Sequence, residues 1–360
     1  MQEIFWYKML SSNATKATCE NFQLSLPVRI FHIVVLSAVF FLGIVGNTLI
    51  IVAVYKRPEL KKTMNYFIVN MAVSDFVFPI AVIPARLADV AATSWQWPVG
   101  NSTALILCKI KSFLMSASFT VSIQSLVWIT IDRFVAVVWP LKFHLISPRF
   151  RRYAIGTTWV VALSTSAVDL KISVIKELDG RMTCIEERLQ SVFVEILNYV
   201  RVTLFFFSPI ILMTVLYSAI AVTLRKQEKV NLRRSTVQHT NRKIRQAIKM
   251  SLFVVLSFYL FLLPYSVMLM LMPTPESSSC LYKYLYLFFS LALKLPSATN
   301  PIICFTFMEN YRRGLKDVCS FVKHKQANAC PVEQGITKEL TLQHFAQISR
   351  MEDNFALREK

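Results

Sequence analysis

Hydrophobic residues gather in long blocks along the chain, separated by short basic segments. Four blocks carry no charge at all: residues 33–55, 112–131, 202–224 and 250–275. At about 1.5 Å per residue each is long enough, as a helix, to cross roughly 30 Å of hydrocarbon. Two further blocks hold a single charge each, Asp75 within 63–85 and Lys294 within 284–308. The seventh, 154–168, is short, but Arg151, Arg152 and Lys171 at its ends snorkel outward and extend it. The pattern predicts an all-α membrane protein, a seven-transmembrane helix bundle over residues 30–306. An extracellular arm, residues 1–29, precedes it. Farther on, Phe307, Tyr311, Leu315 and Val318 recur at helical spacing opposite Arg312, Arg313 and Lys316. That predicts a short amphipathic helix on the membrane surface over 307–321, followed by a polar cytoplasmic tail, 322–360.

Composition agrees with this division, since 54% hydrophobic residues and 17% charged ones are too apolar for an ordinary soluble domain. The net charge of +19 invites a nucleic-acid reading, but its placement excludes one. Lys56, Arg57, Lys61 and Lys62 follow the first span; Lys142, Arg149, Arg151 and Arg152 separate the third from the fourth. Residues 225–249 hold nine Lys or Arg against Glu228 alone. The three basic loops mark the cytoplasmic side, so the N-terminus is expected outside and the C-terminus inside a plasma membrane crossed many times. The segment before Ile30 is too polar for a cleaved signal, so the first span is expected to direct its own insertion.

Three features outside the spans fit that orientation. Asn13 and Asn101 head glycosylation sequons on the external side. Cys108 and Cys184 are placed to form a disulfide there, and Cys19 with Cys280 could form a second. Cys319 and Cys330 fall on the cytosolic side, either reduced or palmitoylated.

Polar and proline residues within the spans resemble those of the rhodopsin-like (class A) G-protein-coupled receptors. In order they are Gly46-Asn47, Asp75, Asp132-Arg133-Phe134, Trp159, Pro209, Tyr217, Pro264 and Asn300-Pro301. The resemblance covers roughly residues 30–320. It implies a polar cluster around Asp75 with Asn47, Ser122, Ser297 and Asn300, which in the family holds sodium and water. It also implies a cytoplasmic switch in which Asp132 latches Arg133, with Tyr217, Pro301 and Cys304 taking part. A heterotrimeric G protein, arrestin and the lipid bilayer are the implied partners.

Lys294 narrows the resemblance. An ammonium at bilayer depth costs at least about 2.5–3.5 kcal/mol and asks for a function. It lies six residues before Asn300, the register of the retinal-binding lysine in opsins, and residues 63–75 resemble the opsin pattern entering the second span. On that likeness the chain looks like a divergent opsin of invertebrate kind: a light sensor with retinal as a Schiff base on Lys294. Met115, Ser116, Phe119, Phe206, Leu262, Tyr265 and Ser290 would wall the pocket. Three departures stand out: Leu262 replaces a usual Trp, Cys304 a usual Tyr, and Lys111 the usual glutamate counterion. Asp179 is then the first counterion candidate, with Glu177 and Glu186 behind it, and a chloride held by Arg86 and Lys111 competes. The alternative is a receptor for a peptide or other diffusible anionic ligand, bound by Arg86, Lys111 and Lys294. An amine ligand is disfavoured because Met115 stands where that group needs an acid. An enzyme or transporter is disfavoured, since no nucleophile-base spacing, metal-ligand set or inverted repeat is visible.

Overall fold

In hydrocarbon every backbone polar group must be satisfied within the chain, so the long apolar blocks fold as helices. The computed structural model describes residues 24–91, 101–141, 146–178, 181–186, 192–230, 235–271 and 280–315. The helices are α1 (Leu26–Lys56), α2 (Thr63–Ala91), α3 (Asn101–Val138), α4 (Pro148–Ser166), short α5 (Asp169–Ile172), α6 (Val192–Val202), α7 (Ser208–Val230), α8 (Ser235–Leu271), α9 (Cys280–Ala292) and α10 (Pro296–Phe307). Seven spans result, because α6 runs into α7 and α9 into α10. The chain is a seven-helix membrane bundle. Six spans are long and apolar enough to cross by length and composition. The weakest, α4, carries hydroxyls at Thr157, Thr158, Ser164 and Thr165. Each donates to a carbonyl three or four residues back, at 2.7–2.8 Å, so none meets lipid unsatisfied.

Small residues set the closest approaches. A methyl group on Gly46 would stand 2.6 Å from Pro301 Cβ and 2.8 Å from its Cγ, so α1 and α10 meet backbone to ring. Asn70 of α2 ties three helices together. It receives the Trp159 indole N–H at 2.8 Å and donates to Ser125 at 2.9 Å and to Thr158 at 3.2 Å.

Two spans are irregular, and proline accounts for both. Thr203–Phe207 forms a π turn just before Pro209, whose missing N–H would leave a carbonyl of a regular helix unpaired. In the seventh span the helix stops at Ala292 and restarts at Pro296. Pro296 has no N–H to give Ala292, and the Leu295 N–H closes on that carbonyl instead at 3.0 Å.

One element was not foreseen. The segment after α5 is an antiparallel hairpin, β1 (Ser173–Leu178) with β2 (Arg181–Glu186), in which Cys184 faces Ile175. A disulfide from Cys184 to Cys108, with Cα atoms 5.7 Å apart, pins the hairpin to α3. Helix resumes at 309 after an extended Met308 and is described to 315, so Phe307 belongs to α10. Tyr311 is buried edge-on against Phe305, and burial pushes its hydroxyl well above the usual phenol range. Asn13, Cys19, Asp179, Cys319 and Cys330 lie outside the described residues, as do the side chains of Asn101, Glu177, Glu186 and Cys280.

Candidate functional site

The break in the seventh span determines what Lys294 touches. In an unbroken helix its N–H would bond the Ser290 carbonyl; here that N–H turns to Leu291 at 3.0 Å. The Lys294 ammonium folds back and donates to the carbonyl its own backbone vacated, that of Ser290. The Ser297 hydroxyl then donates to the Lys294 carbonyl at 3.1 Å, and Asn47 donates to the Ser297 carbonyl at 2.9 Å. Lys294 is 5% exposed, so its amine is buried inside the bundle, with the Ser290 carbonyl as one of its acceptors.

One layer deeper lies Asp75, 4% exposed. Its two oxygens accept from Ser122 Oγ and Asn300 Nδ2, each at 2.7 Å. Ser74 lies 2.8 Å from Ser122, and Ser118 donates to the Ser74 carbonyl at 2.9 Å. Of the four residues expected around Asp75, two bond it directly. Asn47 donates instead to the Gly43 and Ser297 carbonyls, which ties α1 to the seventh span, while the Ser297 hydroxyl stays within that span on the Lys294 carbonyl.

The expected wall residues fall into several groups. Phe119 packs between Phe78 and Phe258, with ring centroids 5.3 and 6.5 Å away. Phe206 lies against Tyr259 at 5.7 Å, and Tyr265 against Tyr286 at 6.0 Å. Leu262 is buried in the main apolar cluster, while Met115 sits at the edge of the other. Arg86 and Lys111 are half-buried toward the C-terminal end of α2 and the N-terminal end of α3.

Ser116 reveals an ion pair that sequence reasoning missed. Arg201 Nη1 donates to both oxygens of Asp169, at 2.8 and 2.9 Å, and reaches Ser116 Oγ at 3.3 Å. This end of the bundle, which also carries Arg86 and Lys111, therefore contains a buried acid, Asp169. Both charges sit one residue beyond an uncharged block, so hydropathy places them at the edge of a span. The π turn and the short α5 bring them inward.

At the opposite end Arg133 Nε bonds Asp132 Oδ2 at 3.0 Å, and its Nη2 bonds the same oxygen. The buried Tyr217 hydroxyl lies beside Thr130 and Ser251. Cys304 is a free, fully buried thiol.

Comparison with known proteins places this geometry in a class. The family model "7 transmembrane receptor (rhodopsin family)" matches residues 46–304. The chain belongs to that family, one of receptors and not of enzymes. It is similar to a QRFP-like peptide receptor of Branchiostoma floridae, 30% identical over 258 residues, 68% of this chain and 65% of that protein's length. It is similar also to neuropeptide FF receptor 2 of Rattus norvegicus, 28% identical over 306 residues, 80% of this chain and 72% of the relative. Cysteinyl leukotriene receptor 2 of Mus musculus is 28% identical over 312 residues, 85% of this chain and 94% of the relative.

These relatives overturn the opsin reading. They are named as receptors for peptides and a leukotriene, so covalent retinal on Lys294 is withdrawn, and with it the counterion roles of Asp179, Glu177, Glu186 and chloride. The physical reason is visible at the lysine. Its register before Asn300 is compatible with a second duty, bracing a proline break through the Ser290 carbonyl.

Proposed function

We propose that the chain is a G-protein-coupled receptor for a diffusible peptide, with an anionic group of the ligand drawn to the basic side chains in the outer half of the bundle. The likeness to receptors named for peptides carries this reading. The charges support it: Arg86, Lys111 and Lys294 are basic, and the described buried acid there, Asp169, is already paired with Arg201. The three basic loops put the N-terminus and the ligand side outside the cell.

Signalling follows from the two ends of the bundle. Asp132 holds Arg133 at the inner end of α3, and prolines in α7, α8 and α10 leave the surrounding spans free to bend. Ligand contact outside favours an arrangement in which that latch opens to a heterotrimeric G protein, with arrestin as a second partner. Asp75 lies between the two ends. Its carboxylate, the Ser122 hydroxyl and the orphaned buried Oδ1 atoms of Asn300 and Asn47 are an oxygen set that fits a hydrated sodium ion.

The test is activation. Cells expressing the receptor with a G-protein dissociation reporter are exposed to a library of neuropeptide-like synthetic peptides and, separately, to lipid-derived acids such as leukotrienes. A saturable response to peptides, lost in Arg133→Ala, is expected. A response to the lipid acids alone would overturn the peptide reading.

A further inference from the structure

Asp169 is 1% exposed, yet its partner Arg201 keeps 21% of its side chain accessible. A buried ion pair is by itself weak evidence for more than structure. Its place and its construction say more. Ser116, the third member, lies five residues inward from Lys111 on α3, about 7.5 Å along the axis, and six residues outward from Ser122, about 9 Å. The guanidinium therefore sits between the basic outer ends of α2 and α3 and the Asp75 layer.

The π turn at Thr203–Phe207 begins two residues after Arg201. One residue beyond the regular helical count rotates everything before it by roughly 100° relative to an unbroken α-helix. Without that rotation Arg201 would leave its present direction toward Ser116 and Asp169. The fold thus uses an irregular turn to aim a cation into the bundle, and spends one guanidinium nitrogen on both Asp169 oxygens to hold it there. A planar guanidinium fixed in orientation and partly accessible is suited to a carboxylate. Phe119, one turn inward from Ser116, gives an apolar neighbour for a side chain next to that carboxylate.

We propose that Arg201, aimed by the π turn and braced by Asp169 and Ser116, is the anchor for a carboxylate of the ligand flanked by an apolar or aromatic side chain. This rests on the peptide-receptor reading and names the chemistry its ligand presents.

The experiment uses the purified full-length receptor in detergent and two small probes at millimolar concentration, N-acetylphenylalanine with its free carboxylate and N-acetylphenylalaninamide without it. The acid is expected to raise the thermal unfolding midpoint and the amide to leave it unchanged. Arg201→Lys keeps the charge opposite Asp169 but loses the planar fork, so the acid should need about tenfold more concentration for the same shift. Asp169→Asn should weaken the acid similarly by releasing the brace, and Arg201→Gln should abolish its effect. Equal shifts from acid and amide, no shift from the acid, or an acid response unaltered in Arg201→Lys would each overturn the proposal. Should Arg201→Gln fail to fold, the lysine variant decides. Peptide activation of unchanged potency in Arg201→Lys would sink the anchor while leaving the receptor reading intact, whereas a wild-type receptor deaf to peptides would sink that reading.

Discussion

Gly46 shows how little slack the bundle has at single residues. Pro301 presses on it with ring carbons that cannot swing aside, so a methyl group at 2.6 Å must push α1 from α10. Gly46→Ala is expected to destabilise the receptor by about 1–3 kcal/mol, read as a lower unfolding midpoint in detergent. Gly156→Ala is the control, because nothing lies within 4 Å of its added methyl, and it should change nothing measurable. At this scale the sequence was partly legible. Asp75, Ser122 and Asn300 were grouped by resemblance and do meet, since each sits on a regular helix whose register the sequence carries. Asp169 and Arg201 were not grouped, because an irregular turn and a one-turn helix decide where they point.

The seventh span tests the same idea at the scale of an element. Pro296 breaks it, and Lys294 repairs one consequence by bonding the Ser290 carbonyl. Lys294→Met should therefore cost about 1.5–3 kcal/mol from that lost charge-assisted bond. Pro296→Ala restores a backbone N–H and lets the helix run through, so the Lys294 N–H can serve Ser290 directly. In the double variant the penalty of Lys294→Met should largely disappear, which a double-mutant cycle on unfolding midpoints would show. A penalty equal in both backgrounds would mean the lysine does not act through the break. The run 284–308, charged at Lys294 alone, read as one helix because hydropathy registers burial and is blind to a missing donor; Pro296 was the available signal. The hairpin after α5 was missed for a different reason. Its strands are short, and their pairing is stabilised by the Cys184 crosslink to a distant helix, which local pattern does not encode.

Across the whole molecule the asymmetry of charge sets orientation. The basic loops after the first, third and fifth spans predict an external N-terminus, so an epitope tag ahead of residue 1 should stain on intact cells. Asn13→Gln should remove a glycosidase-sensitive mass shift from the same protein. Staining only after permeabilisation would reverse the topology and move the basic residues of the outer half to the cytoplasmic side.

Sequence by itself determined the seven spans, their basic loops and membership of a receptor class, because burial in lipid and the positive-inside bias are written residue by residue. It also placed a lysine six positions before Asn300. Only the tertiary structure decided what that lysine and its neighbours touch: a proline break that hands Lys294 the Ser290 carbonyl, and a π turn that carries Arg201 to Asp169. Register along a helix says where a side chain starts. Contact across helices depends on breaks and turns that shift the whole register at once, and these set the Ser290 carbonyl against the buried amine.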